Sequence, residues 1–227
     1  MIRLLRGVLR VPTCWVPMAL GVLAMVVLGV LAHDARGTRV LGGPLSCVLV
    51  VLLATASARA STPKASGDAH TVIESLVDAG LPAHRALYTY LGAQALLQML
   101  AFTLGVGLLL VCAYSPGDAP LGRDLVHTAP ILFTTAIAYA SYYTAAGTFW
   151  RGRGTALAML LDLLLLAPDS TSLPTPSSHA NALLGAAGQA PLTHFFALWT
   201  IAAIATLIAW LRVRRRAYPP EVRSALS

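Results

Sequence analysis

What most constrains this chain is how its apolar residues cluster. They run in six blocks nearly free of charge, at about 15–32, 40–58, 86–114, 127–149, 154–167 and 191–211. A helix rises about 1.5 Å per residue, so a run of about 20 crosses a hydrocarbon core of about 30 Å. Blocks of this kind predict an all-α polytopic membrane protein with six transmembrane helices. Composition agrees: 57% of the 227 residues are hydrophobic and 11% charged, where a soluble domain carries about a quarter charged. A soluble chain of this length would need a charged exterior that this one lacks.

Between the blocks lie segments of different character. Residues 1–13 place Arg3, Arg6 and Arg10 at helical spacing, with Ile2, Leu5, Val8 and Leu9 on another face. That pattern predicts an amphipathic interfacial helix lying on the inner leaflet. Residues 14–227 form the six-span domain. The first block is too long for a signal-peptide core, and a second follows at once. The fifth is short for a full crossing and is expected to extend back through Trp150, with Arg151 and Arg153 snorkelling. A Pro/Ser/Thr-rich stretch and a weakly apolar patch, together 168–190, make an outer segment.

The net charge of +7 would suit nucleic acid if it were clustered on one face. Instead it sorts by side. With six spans and an inner N-terminus, 13 of the 16 basic residues fall inside: Arg3, Arg6, Arg10, Arg59, Lys64, Arg85, Arg151, Arg153, Arg212, Arg214, Arg215, Arg216 and Arg223. Arg36, Arg39 and Arg123 fall outside. The positive-inside rule places both termini in the cytoplasm, and a bacterial cytoplasmic (inner) membrane is the expected location. The charge is a topology signal and an attraction to anionic lipid, with no nucleic-acid partner implied.

The inner loop 61–87 reads STPKASGDAHTVIESLVDAGLPAHRAL. Thr71 and Glu74 are spaced as a capping box that would start a helix. Val72, Ile73, Leu76 and Val77 form an apolar stripe of helical period, and Gly80 followed by Pro82 stops it. A helix of about two turns does not hold itself in water. It must pack on lipid, on the rest of the chain, or on a partner.

This loop resembles the cytoplasmic loop between spans two and three of the type-two ABC exporter permeases. The run is Ser-Gly-Asp, then Thr-Val-Ile-Glu-Ser-Leu-Val, then Ala-Gly-Leu-Pro-Ala-His-Arg-Ala leading into a long span. The basic amphipathic start, the six blocks and the basic end of the last block are similar too, as is the Pro-Ser-Ser-His-Ala-Asn-Ala-Leu-Leu-Gly run at 176–185. The first outer loop, 33–39, is shorter than that pattern has it. The resemblance implies that the loop is a coupling helix whose Thr71, Val72, Ile73, Glu74, Leu76 and Val77 contact a separate ABC-type ATPase subunit. It further implies pairing as a homodimer or heterodimer of permease subunits. The small size also resembles the haem-exporter-type subunit of cytochrome c maturation. The alternative, from another class, is a non-transporting membrane anchor or assembly subunit of a larger complex.

This chain has no Gly-x-x-x-x-Gly-Lys-Ser/Thr phosphate loop, no His-Glu-x-x-His and no Gly-x-Ser-x-Gly,. It is therefore read as no enzyme by itself and as holding no cofactor. ATP and Mg would belong to the partner. Asp162 is the one charge inside an apolar run, and such a residue must be protonated, paired or facing a wet cavity. It is the candidate for a translocation path, or else a boundary residue near the surface.

Other residues read more blandly. Cys14, Cys47 and Cys112 have no metal or redox spacing. His33, His127, His179 and His194 fall toward the outer face, with no helix-ligand spacing between any two. Trp15, Trp150 and Trp210, with Tyr142 and Tyr143, read as interfacial belts. Gly105 and Gly107, with Ala95 and Ala101, offer small surfaces for close helix packing.

Overall fold

The structure, a computed structural model, describes residues 12–33, 41, 43–62, 69–115, 120–150, 153–165, 175–184 and 191–217. Among these it is all-helical, with eight helices and no strands. They are α1 (Pro12–Leu31), α2 (Pro44–Ala60), α3 (Ala69–Asp78), α4 (Ala83–Cys112), α5 (Leu121–Phe149), α6 (Gly154–Leu164), α7 (Pro176–Leu184) and α8 (Pro191–Ala217). Of the amphipathic start only residues 12 and 13 are described, and they belong to α1. The loop 34–40, Lys64, the stretch 168–174, the tail from 218 and the Cys14 side chain lie outside the described residues.

Each long apolar block is a helix. Two stretches, Ala83–Cys112 and Pro191–Arg215, are long and apolar enough to cross a membrane. Proline marks the starts: Pro44 opens α2, Pro82 precedes α4 and Pro120 precedes α5, positions where its missing N–H costs nothing.

Helix α5 is the hub, packing against α2, α3, α4, α6, α7 and α8. Its buried face mixes hydroxyl side chains with alanines and aromatic rings, and large apolar side chains lie on its outside. Thr128, Thr134, Thr135, Ser141, Thr144 and Thr148 are buried, while Leu125, Val126, Phe133 and Phe149 are exposed. Each buried hydroxyl that bonds back to its own helix, such as Thr134 Oγ1 to Pro130 O at 2.9 Å and Thr144 Oγ1 to Ala140 O at 2.6 Å, is satisfied without water. Thr144 Oγ1 also lies 3.0 Å from the Gln94 side-chain amide, tying α5 to α4. A large core joins α1, α2, α4 and α5 around Met25, Leu53, Phe102, Leu109 and Tyr139. Gly105 and Ala101 serve that packing, with Leu53 and Met25 seated against Gly105, whereas Gly107 faces open space.

The fifth block departs from expectation. Its helix α6 has 11 residues, about 16 Å at 1.5 Å per residue, roughly half a bilayer core. It does not extend back through Trp150, because the chain turns there: Trp150 N–H donates to Ala146 O at 3.1 Å and Gly154 N–H to Trp150 O at 2.8 Å. The corner is so tight that a Cβ on Gly154 would collide with the Ala146 carbonyl oxygen. Gly154→Ala is expected to destabilise the folded chain by about 2 kcal/mol, the scale of backbone overpacking. Gly107→Ala, with nothing within 4 Å of its Cβ, should instead stabilise by up to about 1 kcal/mol. Thermal unfolding of the two purified variants checks both signs.

Candidate functional site

Asp162 lies near the end of α6 and is fully buried, at 0% exposure. Three donors converge on it. Tyr139 Oη of α5 donates to Oδ2 at 2.7 Å, and Ser177 Oγ donates to Oδ1 at 2.7 Å. The Ser177 backbone N–H also points at Oδ1, at 3.3 Å. Pro176 is the first residue of α7 and Ser177 the second, so Asp162 caps the start of that helix. A side-chain oxygen there satisfies an N–H that the helix itself leaves free, and a negative charge suits the dipole. Its side chain is shut off from the surface of the folded chain. It is paired, and the two short helices α6 and α7 meet at it.

Beyond Asp162 the polar contacts continue in separate pieces. Phe102 packs edge-on against Tyr139 with centroids 6.0 Å apart, and Tyr139 stacks on Tyr143 at 5.7 Å. Tyr143 Oη meets Thr55 Oγ1 of α2 at 2.8 Å. The hydrogen-bonded path breaks at the stacked rings, so these residues form a lock among α2, α5, α6 and α7 and not a continuous proton wire. Tyr143, at 1% exposure, is a core residue and not part of an interfacial belt. Tyr142 is half-buried, its Oη donating to Ala158 O at 3.3 Å.

Helix α3 is the second feature of note. It begins at Ala69, two residues before Thr71. Its end follows the expected chemistry. Gly80 adopts φ +91°, Gly80 N–H donates to Val77 O at 2.8 Å and Leu81 N–H to Leu76 O at 3.1 Å. This is the paired closure that a left-handed glycine allows. The stripe turns inward. Ile73 is 1% exposed and sits with Ala83, Ala86, Leu87 and Tyr90 of α4, Ala145 of α5, and Ala205, Ala209 and Val213 of α8, with Val72, Leu76 and Val77 packed beside it. Ile73, expected to anchor a partner, is instead buried in its own chain, because three helix ends supply the apolar surface a short helix needs. The face left outside carries Thr71, Glu74, Ser75 and Asp78. His70 Nδ1 lies 2.8 Å from Glu74 Oε2, one turn along the helix.

The outer histidines partly converge. His179 and His194, from α7 and α8, are buried with their Nδ1 atoms 3.1 Å apart, so one ring nitrogen donates to the other. His33 Nδ1 lies 3.3 Å from Cys112 O instead, and His127 is exposed. Among the described residues no group of three or more His, Cys, Asp or Glu side chains is placed to hold a metal ion.

Tyr139, Ser177 and Thr55 carry this site but escape sequence reasoning, as each is an ordinary residue until folding brings it to Asp162 or Tyr143. The one available signal is the spacing of Thr135, Tyr139 and Tyr143, which puts three polar groups on one face of an apolar helix. Comparison with protein-family models, curated proteins and solved structures finds no match for this chain.

Proposed function

We propose that this chain is the membrane-embedded permease subunit of an ATP-driven exporter, working with a separate ABC-type ATPase. The observation that carries the reading is α3. A short helix between the second and third long apolar stretches is held rigidly on the ends of α4, α5 and α8 and shows a polar face outward. A mechanical link between a soluble motor and a membrane bundle needs those two properties. In this reading α1, α2, α4, α5 and α8 cross the inner membrane. The half-length α6 together with α7 makes the sixth crossing, so that both termini are cytoplasmic. The support is the apolar exterior: Val126 and Phe133 of α5 are exposed, as are Leu20, Leu23 and Val30 of α1 and Phe196, Ile204 and Leu207 of α8. Such an exterior is matched to lipid and not to water.

A second reading is favoured by one observation. Asp162 is saturated by donors within the chain, which suits a static anchor or assembly subunit better than a transport path. The two readings part on one experiment. The tagged chain is purified in mild detergent, and the bound proteins are identified by mass spectrometry and assayed for nucleotide hydrolysis. The exporter reading expects an ATPase with a phosphate-loop motif in stoichiometric amount, whose turnover changes when the permease is stripped away. An isolated chain, or one bound only to subunits without that motif, sinks it and leaves the anchor.

A further inference from the structure

Between α5, α6 and α8 runs an open groove of about 390 Å³, lined by Tyr142, Ala145, Phe149, Trp150, Leu161 and Ile204 among others, nearly all apolar. Along α8 it is bordered by Ile201, Ile204, Ala205 and Ile208. Arg212 follows one turn beyond, on the same face as Ile208. The Arg212 guanidinium carbon sits 5.0 Å over the Phe149 ring, the groove's aromatic end. Its Nε is buried without a hydrogen-bond partner, and no carboxylate among the described residues lies at ion-pair distance from it. A guanidinium parked on a ring face with an unused donor is a cation lacking its anion, since a buried donor left unpaired is costly.

We infer that this groove binds one anionic phospholipid of the cytoplasmic leaflet, an acyl chain lying in the groove and the phosphate on Arg212. Dimensions support that occupant. From Ile201 to Arg212 is 11 residues of helix, about 16 Å, which matches one leaflet of a core of about 30 Å. The groove thus runs from the bilayer midplane to the headgroup level, where Trp150 and Arg153, both exposed, sit at the turn into α6. A guanidinium suits phosphate through its forked donors, and its charge adds to the preference. The inference rests on the membrane placement of the bundle and is independent of whether the chain exports anything.

Trp150 itself supplies the test. A variant carrying Trp15→Phe, Trp199→Phe and Trp210→Phe keeps Trp150 as the sole tryptophan. It is reconstituted in phosphatidylcholine vesicles containing bromine-labelled lipids, and quenching of its fluorescence is measured. Brominated phosphatidylglycerol should associate about fivefold more strongly than brominated phosphatidylcholine, the scale of one basic residue at the membrane surface. Arg212→Gln should reduce that ratio to about one, Arg212→Lys should keep part of it, and Arg214→Gln should leave it unchanged. Equal quenching by both lipids in the protein with Arg212 intact overturns the site while leaving the membrane placement standing. Quenching by neither lipid, with Trp150 shielded in a dimer, overturns it too and gives the groove to a second copy. Quenching by neither in a monomer removes the membrane placement itself.

Discussion

Asp162→Ala is expected to lower the stability of the folded chain by about 4 kcal/mol. The loss is the sum of what is stranded. The Tyr139 hydroxyl, the Ser177 hydroxyl and the Ser177 N–H all point at the two Asp162 oxygens, and each buried donor left unsatisfied costs about 1–3 kcal/mol. Some of that is recovered if the hydroxyls rotate to other acceptors. Asp162→Asn should cost only about 1 kcal/mol, because its amide oxygen still accepts and a hydroxyl can reverse to accept from the amide nitrogen. Thermal unfolding in detergent measures both, and the cycle with Tyr139→Phe should show coupling of about 1 kcal/mol or more. An alanine variant as stable as the unmodified protein would overturn the capping role. The asparagine variant separates structure from transport: a residue in the translocation path loses activity there while stability holds, whereas a cap keeps activity.

Much of the helical layout was legible, because lipid-matched helices announce themselves as long uncharged runs, and because stop signals are local. Gly80 and Pro82 end α3 where turn chemistry says they should, and positive φ at Gly80 is a property of that residue alone. What could not be read was set by contacts distant in sequence. Asp162 is explained by Ser177, 15 residues on, and His179 by His194, likewise 15 residues on. The depth of α6 depends on the corner at Gly154, where the clash with Ala146 is visible only in three dimensions. Amphipathicity of α3 was plain, yet a stripe says only that something covers it. The cover proved to be the ends of α4, α5 and α8.

That orientation decides how α3 must be probed. Ile73→Asp is expected to detach the helix, since it removes a fully packed aliphatic side chain, worth about 2–4 kcal/mol, and inserts a charge with no partner into an apolar cluster. A combined cost near 5 kcal/mol should make the 61–82 segment open to protease at far lower doses, with the open population raised by roughly four-thousandfold. Loss of a partner in that variant would therefore report unfolding of α3 and nothing about contact. The informative change is on the exposed face. Ser75→Arg with Asp78→Arg alters two exposed side chains and should leave stability within about 0.5 kcal/mol, with protease resistance unchanged. If α3 is the seat of an ATPase, reversing the character of that face should weaken association by about 2 kcal/mol, near thirtyfold, and the ATPase should be lost on washing. Retention of the ATPase by a stably folded Ser75→Arg/Asp78→Arg protein removes α3 as the coupling element. The exporter reading would then have lost the one observation that carries it.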